Sequence, residues 1–402
     1  MVNPSINEHG GKLDKLQLIA VAGLMFIGAA FVYSATARTQ SSTLPWFDWM
    51  WLRQILWYVI GVGTAAALGL LDYHKLARWS LVIYWLTIIC LVAVLIPGIG
   101  STNNSGARRW IDLPLFQFQP SEFAKLSFIL AMANFLSRPA DELKQWPVFW
   151  KGIGLMMLPF ILIFKEPDLG SALVLIPTGV VMMFVAGTPR KYLLTLGGTV
   201  GILGVLALGD ILFAPRALQL PIQDYQRQRL LVYFGTSFAE AHATPEQRAE
   251  ARALQAKSSY QGKQALIGVG SGGLLGKGWC QGSEAALGFL PAGAAHNDFI
   301  FSVIAEEEGF VGTCLVLTLY AVVLFTGLRI AGQARDRLGK LMAVGVVTLL
   351  FSHVFINIGM NIRIVPVTGI PLPLLSYGGS SVLCSLIALG LMQNVYIHRK
   401  GY

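Results

Sequence analysis

Ten long apolar stretches run through this sequence, and a chain with so many has few folds open to it. They cover residues 16–35, 54–71, 79–97, 121–137, 151–164, 169–187, 192–214, 299–328, 341–360 and 379–397. Roughly 20 apolar residues let an α-helix cross a bilayer core of about 30 Å. Only 13% of the residues are charged, against about 25% in an ordinary soluble domain. We therefore predict an all-α polytopic membrane protein of about ten transmembrane helices, with residues 1–402 forming one integral membrane domain.

Lysine and arginine in the short loops predict the orientation of these helices. If the N-terminus is cytoplasmic, the inner segments hold fifteen of these residues and the short outer loops hold five. Both termini are thus predicted to be cytoplasmic, and residues 215–298 form a large extracytoplasmic segment between helices seven and eight. The pI near 9.4 then reflects topology. No basic, aromatic-interleaved patch predicts nucleic-acid binding.

Polar and ionisable residues collect on the predicted outer side, beginning with "NSGARRWIDLPLFQFQPSEFAKLSF" at residues 104–128. Arg108 and Arg109 have the fork geometry that suits phosphate oxygens, and Trp110 can anchor at the interface. A basic interfacial loop explains them equally well. Glu122 and Lys125 lie three residues apart in the first turn of a helix that enters the membrane. They either line a cavity or form a structural ion pair.

The second outer loop, "FKEPDLGSALVL", covers residues 164–175. Asp168 can cap the helix that follows. Capping leaves Glu166 unexplained at the same membrane edge, so both acids are candidate site residues.

The third loop, "NIRIVPVTGIPLPLLSYGGSS", covers residues 361–381 and is too apolar for an ordinary hydrated loop. Irregular backbone at membrane depth is tolerated only when it is buried in protein or lines a cavity. The stretch is therefore predicted to be a re-entrant or cavity-lining segment. Its hydroxyl groups could hold an anion at a helix start, although a glycine-bearing helix cap is an alternative. These groups belong to Ser376, Tyr377, Ser380 and Ser381.

The large outer segment ends in "GVGSGGLLGKGW" and, further on, in "AHNDF". The glycine run lacks the spacing of a phosphate-binding loop and predicts a flexible loop that lets Lys277 approach a ligand. Asp298, with His296 beside it, stands where the chain re-enters the membrane. It is either a helix N-cap or a carboxylate whose apolar surroundings raise its pKa and suit it to take a proton from a hydroxyl. Of the glutamates at 306–308, at least one is expected to pair with a cation or to be protonated.

Several of these stretches together resemble the SEDS family of peptidoglycan glycosyltransferases, in order and over nearly the whole chain. They are "GARRWI", "QPSEFAK", "EPDLGSALVL", "GKGW", "HNDFIFSVIAEEEGFVG" and "PLPLLSYGGSS". "DYQRQR" and "GIPLPLLSYGGSS" look more like the RodA branch, which acts in elongation, than the FtsW branch, which acts in division. The chain departs from the family in Asn297, where a threonine is usual, in Arg363, where a glycine is common, and in a long insertion at 238–259.

The resemblance implies a polymerase that joins lipid II, a disaccharide-pentapeptide on undecaprenyl pyrophosphate, into glycan strands. The site would face the outer side of the bacterial cytoplasmic membrane, and the partner would be a class B penicillin-binding protein transpeptidase. Arginine, lysine or a divalent cation, Mg²⁺ or Mn²⁺, would hold the pyrophosphate. The family's essential aspartate falls on Asp298, and its other functional positions fall on Arg109, Glu122, Lys125, Asp168 and Lys277. A lipid II flippase and a non-catalytic scaffold for a transpeptidase are the alternatives.

Overall fold

The computed structural model describes residues 13–37, 49–101, 108–112, 117–213, 224–236, 238, 245–290 and 294–399. Within these ranges the chain forms fifteen helices and three short strands, which confirms the predicted all-α class. The helices are α1 (Lys15–Ala37), α2 (Met50–Leu70), α3 (Tyr73–Arg78), α4 (Ser80–Leu95), α5 (Pro120–Leu136), α6 (Ala140–Leu143), α7 (Trp146–Lys165), α8 (Leu169–Ala186), α9 (Arg190–Phe213), α10 (Asp224–Phe234), α11 (Pro245–Ser271), α12 (Ser283–Ala286), α13 (Ile300–Gln333), α14 (Arg337–Asn361) and α15 (Gly379–Ile397). The strands are β1 (Gly100–Ser101), β2 (Trp110–Asp112) and β3 (Gln117–Phe118), which form an antiparallel sheet in the order β1-β2-β3.

Each of the ten predicted apolar stretches coincides with one of these helices. Eight of the described helices are long and apolar enough to cross a membrane, namely α1, α2, α7, α8, α9, α13, α14 and α15. The other two predicted crossings are shorter, at 16 residues for α4 and 17 for α5. The protein is therefore a multi-pass membrane protein.

Helix α14 lies at the centre of the bundle, and most of its residues are buried. It packs against α5, α8, α13 and α15, while α2 packs on α15 and α1 packs on α13. Helix α9 lies at the edge, where Leu194 is 75% exposed and Val205 is 70% exposed. Apolar side chains left outside the protein core suit a helix that contacts lipid.

Helix α13 is broken. The sequence predicts an apolar stretch at 299–328 and leaves open whether the helix starts at Phe299 or residues 309–328 alone form the span. Gly309 has φ 64° and ψ −157°, which lies outside the helical region. The loop that precedes α12 fills the break and supplies the backbone partners that the helix loses there. Lys277 N and Gly278 N donate to Glu306 O and Glu307 O at 3.0 and 2.9 Å, and Phe310 N and Val311 N donate to Gly273 O and Leu274 O at 2.9 and 3.2 Å. Peptide groups away from water need such partners, so loop and break stabilise each other.

Two glutamate side chains reinforce this junction. Glu306 accepts from Lys277 Nζ at 2.6 Å and from the backbone N of Ser283 at 2.7 Å. Glu307 accepts from Ser34 Oγ of α1 at 2.5 Å and from Cys280 N at 3.0 Å. The expectation that at least one of the glutamates pairs with a cation is confirmed. The predicted flexible loop at Lys277 is wrong, because that loop is bonded to α13 along its length.

We expect Gly309→Ala to destabilise the folded protein. Its φ and ψ lie in a region that is almost exclusive to glycine and costs other residues about 1–3 kcal/mol. An added Cβ would also lie 2.3 Å from Gly276 N. Thermal unfolding in detergent measures the effect, with Gly332→Ala near the end of the same helix as the matched control. A Cβ at Gly332 meets no atom of the described residues within 4 Å, so that variant should be neutral or slightly stabilised. Equal midpoints for the two variants would contradict the account of the break.

Candidate active site

The irregular segment 362–378, between α14 and α15, is buried in its second part, where Ile370, Leu372 and Leu375 are 0% exposed, whereas Ile364 near its start is 58% exposed. Side chains of the surrounding helices bind its peptide carbonyls. Asn357 Nδ2 donates to Ile370 O at 2.7 Å, Tyr58 OH to Leu374 O at 2.6 Å, Gln54 Nε2 to Ser376 O at 3.1 Å, and Tyr320 OH to Pro373 O. Because each of these carbonyls has a partner, non-helical backbone can lie inside the bundle.

The segment starts from a helix end in which an arginine takes a position that usually holds glycine. Arg363 N donates to Met360 O at 3.3 Å and Ile364 N donates to Gly359 O at 2.8 Å, the pair of bonds of a Schellman motif. Arg363 has φ +59°, and this left-handed conformation costs a residue with a Cβ roughly 1–2 kcal/mol. The geometry explains why glycine would be favoured here.

The backbone of Asp298 is fixed to α14 by two buried amides. Asn357 Nδ2 and Asn361 Nδ2 donate to Asp298 O at 3.0 and 3.2 Å, and both asparagines are 0% exposed. Ser302 Oγ donates to Asn361 Oδ1 at 2.6 Å. Sequence reasoning missed these asparagines, although two amides four residues apart in an apolar helix were a usable signal.

The side chain of Asp298 does not cap a helix. Helix α13 starts at Ile300, and its N-cap residue is Phe299, which makes no side-chain cap hydrogen bond. Among the described residues, no hydrogen bond to the Asp298 carboxylate contributes to its pKa. A Cβ on Gly369 would lie 3.3 Å from Asp298 Oδ2, so the glycine leaves the carboxylate room. The N-cap interpretation of Asp298 is therefore wrong.

Charged groups from three other parts of the chain act on this carboxylate. Loss of hydration raises the pKa of Asp298 to about 6, while Arg229 and Arg109 lower it and Asp168 raises it. Asp298 is thus ionised at neutral pH, yet more basic than an ordinary aspartate. Arg229 was missed as an individual site residue, although it ends the quoted motif "DYQRQR".

Arg109 and Asp168 come to the site through the turn between α7 and α8. Arg109 Nε donates to Glu166 O at 3.4 Å, and its guanidinium also donates to Pro167 O. Asp168 Oδ1 accepts from Ser171 N at 3.1 Å, which confirms that Asp168 caps α8. The cap and the arginine fix this turn beside Asp298.

Glu166 lies in the same turn and is fully buried. It is 0% exposed, and neither carboxylate oxygen has a hydrogen-bond partner within the described residues. Burial and the charge of Asp168 raise the pKa of Glu166 to about 9, although Arg109 lowers it. Glu166 is therefore a neutral carboxylic acid at neutral pH, so it adds no negative charge to the site.

Glu122 and Lys125 pair with each other. Lys125 Nζ lies 2.6 Å from Glu122 Oε1 and 3.0 Å from His353 Nε2 of α14, and both charged side chains are almost completely buried. This geometry is that of the structural ion pair considered from the sequence. The pair joins α5 to the centre of the bundle.

Four other predicted site residues, His296, Ser376, Tyr377 and Ser380, lie in the segment 362–378 or next to it. His296 is buried and packs edge-on against Tyr377 with ring centroids 5.5 Å apart. Burial lowers the pKa of His296 to about 4, so the imidazole is neutral at neutral pH. Ser376 Oγ donates to Asn297 O at 2.6 Å. Ser380 Oγ donates to Gln117 O at 3.1 Å.

These two serine hydroxyls therefore bind backbone carbonyls of the protein itself. Ser381 is buried at 8% exposure. Arg108 is exposed and Trp110 lies in the central strand β2. Lys277 bonds Glu306 at the break in α13.

No group of three or more His, Cys, Asp or Glu in the described ranges is arranged to hold a metal ion. Asp168 raises the pKa of Asp298, while Arg229 and Arg109 lower it. No step below depends on a divalent cation. What the arrangement offers is an ionised, weakly basic carboxylate with guanidinium groups nearby that can stabilise an anion.

Comparisons with known proteins place the chain among relatives of similar length. The model of the FtsW, RodA and SpoVE family, described as "Cell cycle protein", matches residues 14–401. "Peptidoglycan glycosyltransferase MrdB" of Escherichia coli (strain K12) is 33% identical over 390 residues, which are 96% of this chain and 94% of that protein. "Stage V sporulation protein E" of Bacillus subtilis (strain 168) is 36% identical over 383 residues, 95% of this chain and 96% of that protein.

Solved structures show the same fold along the whole chain. One, described as "Structural coordination of polymerization and crosslinking by a peptidoglycan synthase complex", superposes with a TM-score of 0.74 at 27% identity and covers 96% of this chain and 98% of that one. Rod shape determining protein RodA of Thermus thermophilus superposes with a TM-score of 0.64 at 26% identity, over 99% of this chain and 100% of that one.

We expect Glu166→Gln to fold normally and to remove part of the pH dependence of stability. The folded-state pKa of Glu166, about 9, lies above the ordinary value of 4.5. Between these values the folded chain holds the extra proton, so its stability falls as the pH rises through that window. Glutamine mimics the protonated acid at every pH. Thermal midpoints measured over this window should therefore fall less in Glu166→Gln than in the parent. Glu142→Gln, on the surface, is the control, and parallel curves for Glu166→Gln and the parent would refute a neutral Glu166.

Proposed function

Because the chain belongs to the FtsW/RodA/SpoVE family and is a peptidoglycan glycosyltransferase, we propose that it polymerises lipid II with Asp298 as the general base. The RodA-like motifs favour a role in cell elongation. One observation carries the proposal. The Asp298 carboxylate caps no helix, yet its pKa responds to two arginines from distant parts of the chain.

The reaction joins two lipid-linked saccharides by one displacement. A sugar hydroxyl of one substrate attacks the anomeric carbon of the other, so that a carbon–oxygen bond forms while the bond to the lipid diphosphate breaks. Asp298 accepts the hydroxyl proton, and the departing diphosphate takes the bonding electron pair. A single displacement of this kind inverts the configuration at the anomeric carbon.

The charges of the site suit both halves of this step. A base with a pKa of about 6 is ionised at neutral pH and still basic enough to take a proton from a hydroxyl as the bond forms. Arg109 and Arg229 can stabilise the charge that develops on the diphosphate. A neutral Glu166 supports the proposal, because an ionised carboxylate there would repel that anion.

The same comparisons support a proposal for the partner and the location of the enzyme. The complex whose fold matches this chain is described as coordinating polymerization and crosslinking. For this chain we propose a class B penicillin-binding protein transpeptidase as the crosslinking partner. The chain would act as one integral domain in the bacterial cytoplasmic membrane, with Asp298 on the extracytoplasmic side.

We expect Asp298→Asn to insert and fold yet to polymerise lipid II about 10²–10⁴-fold more slowly, the usual contribution of a general base. The pKa of Asp298 lies above its ordinary value of 3.8, so its ionised form weakens the fold at neutral pH. The variant should therefore unfold at the same temperature as the parent or higher. Glycan products from purified protein measure the rate, with Asp141→Asn on the exposed α6 as control. Parent-like polymerisation by Asp298→Asn would refute the assignment.

A further inference from the structure

A solvent-open cleft lies between α10, α11 and the start of the segment 362–378. Two arginines line it, and none of its lining residues is acidic. The hydroxyls of Tyr233 and Ser259 in this wall already donate to Ile364 O at 2.6 Å and Ala256 O at 3.1 Å, and the remaining wall is mainly valine and proline. The lining residues are Arg229, Val232, Tyr233, Ser258, Ser259, Gly262, Arg363, Val365, Pro366 and Val367. Two guanidinium groups suit an oxyanion that carries more than one charge.

Arg363 enters this cleft from the strained end of α14. Its backbone is left-handed, with φ +59°. Its guanidinium makes no hydrogen bond or ion pair with the described residues. A strained backbone at a cleft is a reason to look for a function of its side chain. The cap itself would be satisfied by glycine.

Arg229 connects the cleft to the surroundings of Asp298. Arg229 lines the cleft, donates to Thr368 O at 3.2 Å, and lowers the pKa of Asp298 by its charge. The next residue, Gly369, is the one whose added Cβ would lie 3.3 Å from Asp298 Oδ2. The guanidinium of Arg229 therefore belongs both to the cleft and to the surroundings of Asp298. Arg363 extends the positive surface of the cleft away from that carboxylate.

We propose that Arg363 and Arg229 bind the diphosphate of the lipid-linked sugar donor in this cleft, so that Arg363 is a substrate-binding residue of this chain. The inference rests on the proposed function, since it needs Asp298 to act at the anomeric carbon. The diphosphate is bonded to that carbon and must lie close to Asp298 when the hydroxyl attacks. A carboxylate of the stem peptide has the same anionic chemistry, but it is separated from the reacting carbon by the sugar and the peptide.

Arg363→Gly is an informative variant because it relaxes the helix cap while it removes the guanidinium. We expect its thermal midpoint to equal or exceed that of the parent. We expect its KM for lipid II to rise roughly tenfold with little change in kcat, which corresponds to the loss of one charge-assisted contact. Arg363→Lys keeps the positive charge but loses the paired N–H donors of the guanidinium, so its KM should lie between those of the parent and Arg363→Gly. Arg252→Ala is the matched control, since it removes a positive charge from the exposed surface of α11.

Two soluble inhibitors distinguish the source of the anion. Inorganic diphosphate should inhibit Arg363→Gly about tenfold more weakly than the parent, and a pentapeptide with a free C-terminal carboxylate should inhibit both equally. The inference is overturned if KM and diphosphate inhibition match the parent, if only peptide inhibition weakens, or if Arg252→Ala has the same effect. It is also overturned if Arg363→Gly unfolds more easily than the parent. Any of these results would leave the Asp298→Asn experiment, and with it the proposed function, unaffected.

Discussion

The structure depends on how irregular backbone is satisfied inside a bundle of apolar helices. Peptide groups withdrawn from water need hydrogen-bond partners, and this chain has two places where helices cannot supply them. In the segment 362–378, the carbonyls bond side chains of Gln54, Tyr58, Tyr320 and Asn357. In the break of α13, the loop that carries Lys277 provides the missing donors and acceptors. Both arrangements use residues far apart in sequence, so the helices and the irregular segments fix one another.

The candidate site is a consequence of this network. Asn357 bonds both Ile370 O and Asp298 O, so one buried amide ties the irregular segment to the turn that carries the carboxylate. The Asp298 side chain is then held at a defined place, while no helix cap engages it. Arg109 reaches the same place through the carbonyls of the turn before α8. The carboxylate and its neighbouring cations are held by different parts of the chain, so they can keep their geometry while substrate enters and product leaves.

The sequence predicted the helices well because a run of about 20 apolar residues has few alternatives to a membrane helix. It also predicted irregular backbone after α14, since prolines and glycines among apolar residues leave no regular structure. It did not predict the break at Gly309. The glutamates at 306–308 interrupt the apolar run just before that position, but the partners that permit the break come from residues 273–278. The loop of Lys277 was predicted to be flexible for the same reason, because the acceptor of Lys277, Glu306, lies 29 residues away. Arg229 and the two asparagines of α14 were missed because their roles depend on contacts between distant elements.

The central claim is that Asp298 takes the proton in the reacting complex, and the pH dependence of kcat/KM tests it most directly. Polymerisation of lipid II by the purified enzyme would be followed from well below to well above pH 6. Because the base must be ionised, the account predicts that kcat/KM rises with pH and levels off above the Asp298 pKa of about 6. The residual activity of Asp298→Asn should lack this inflection. A parent profile that is flat across this range, or an inflection that persists in Asp298→Asn, would contradict the account.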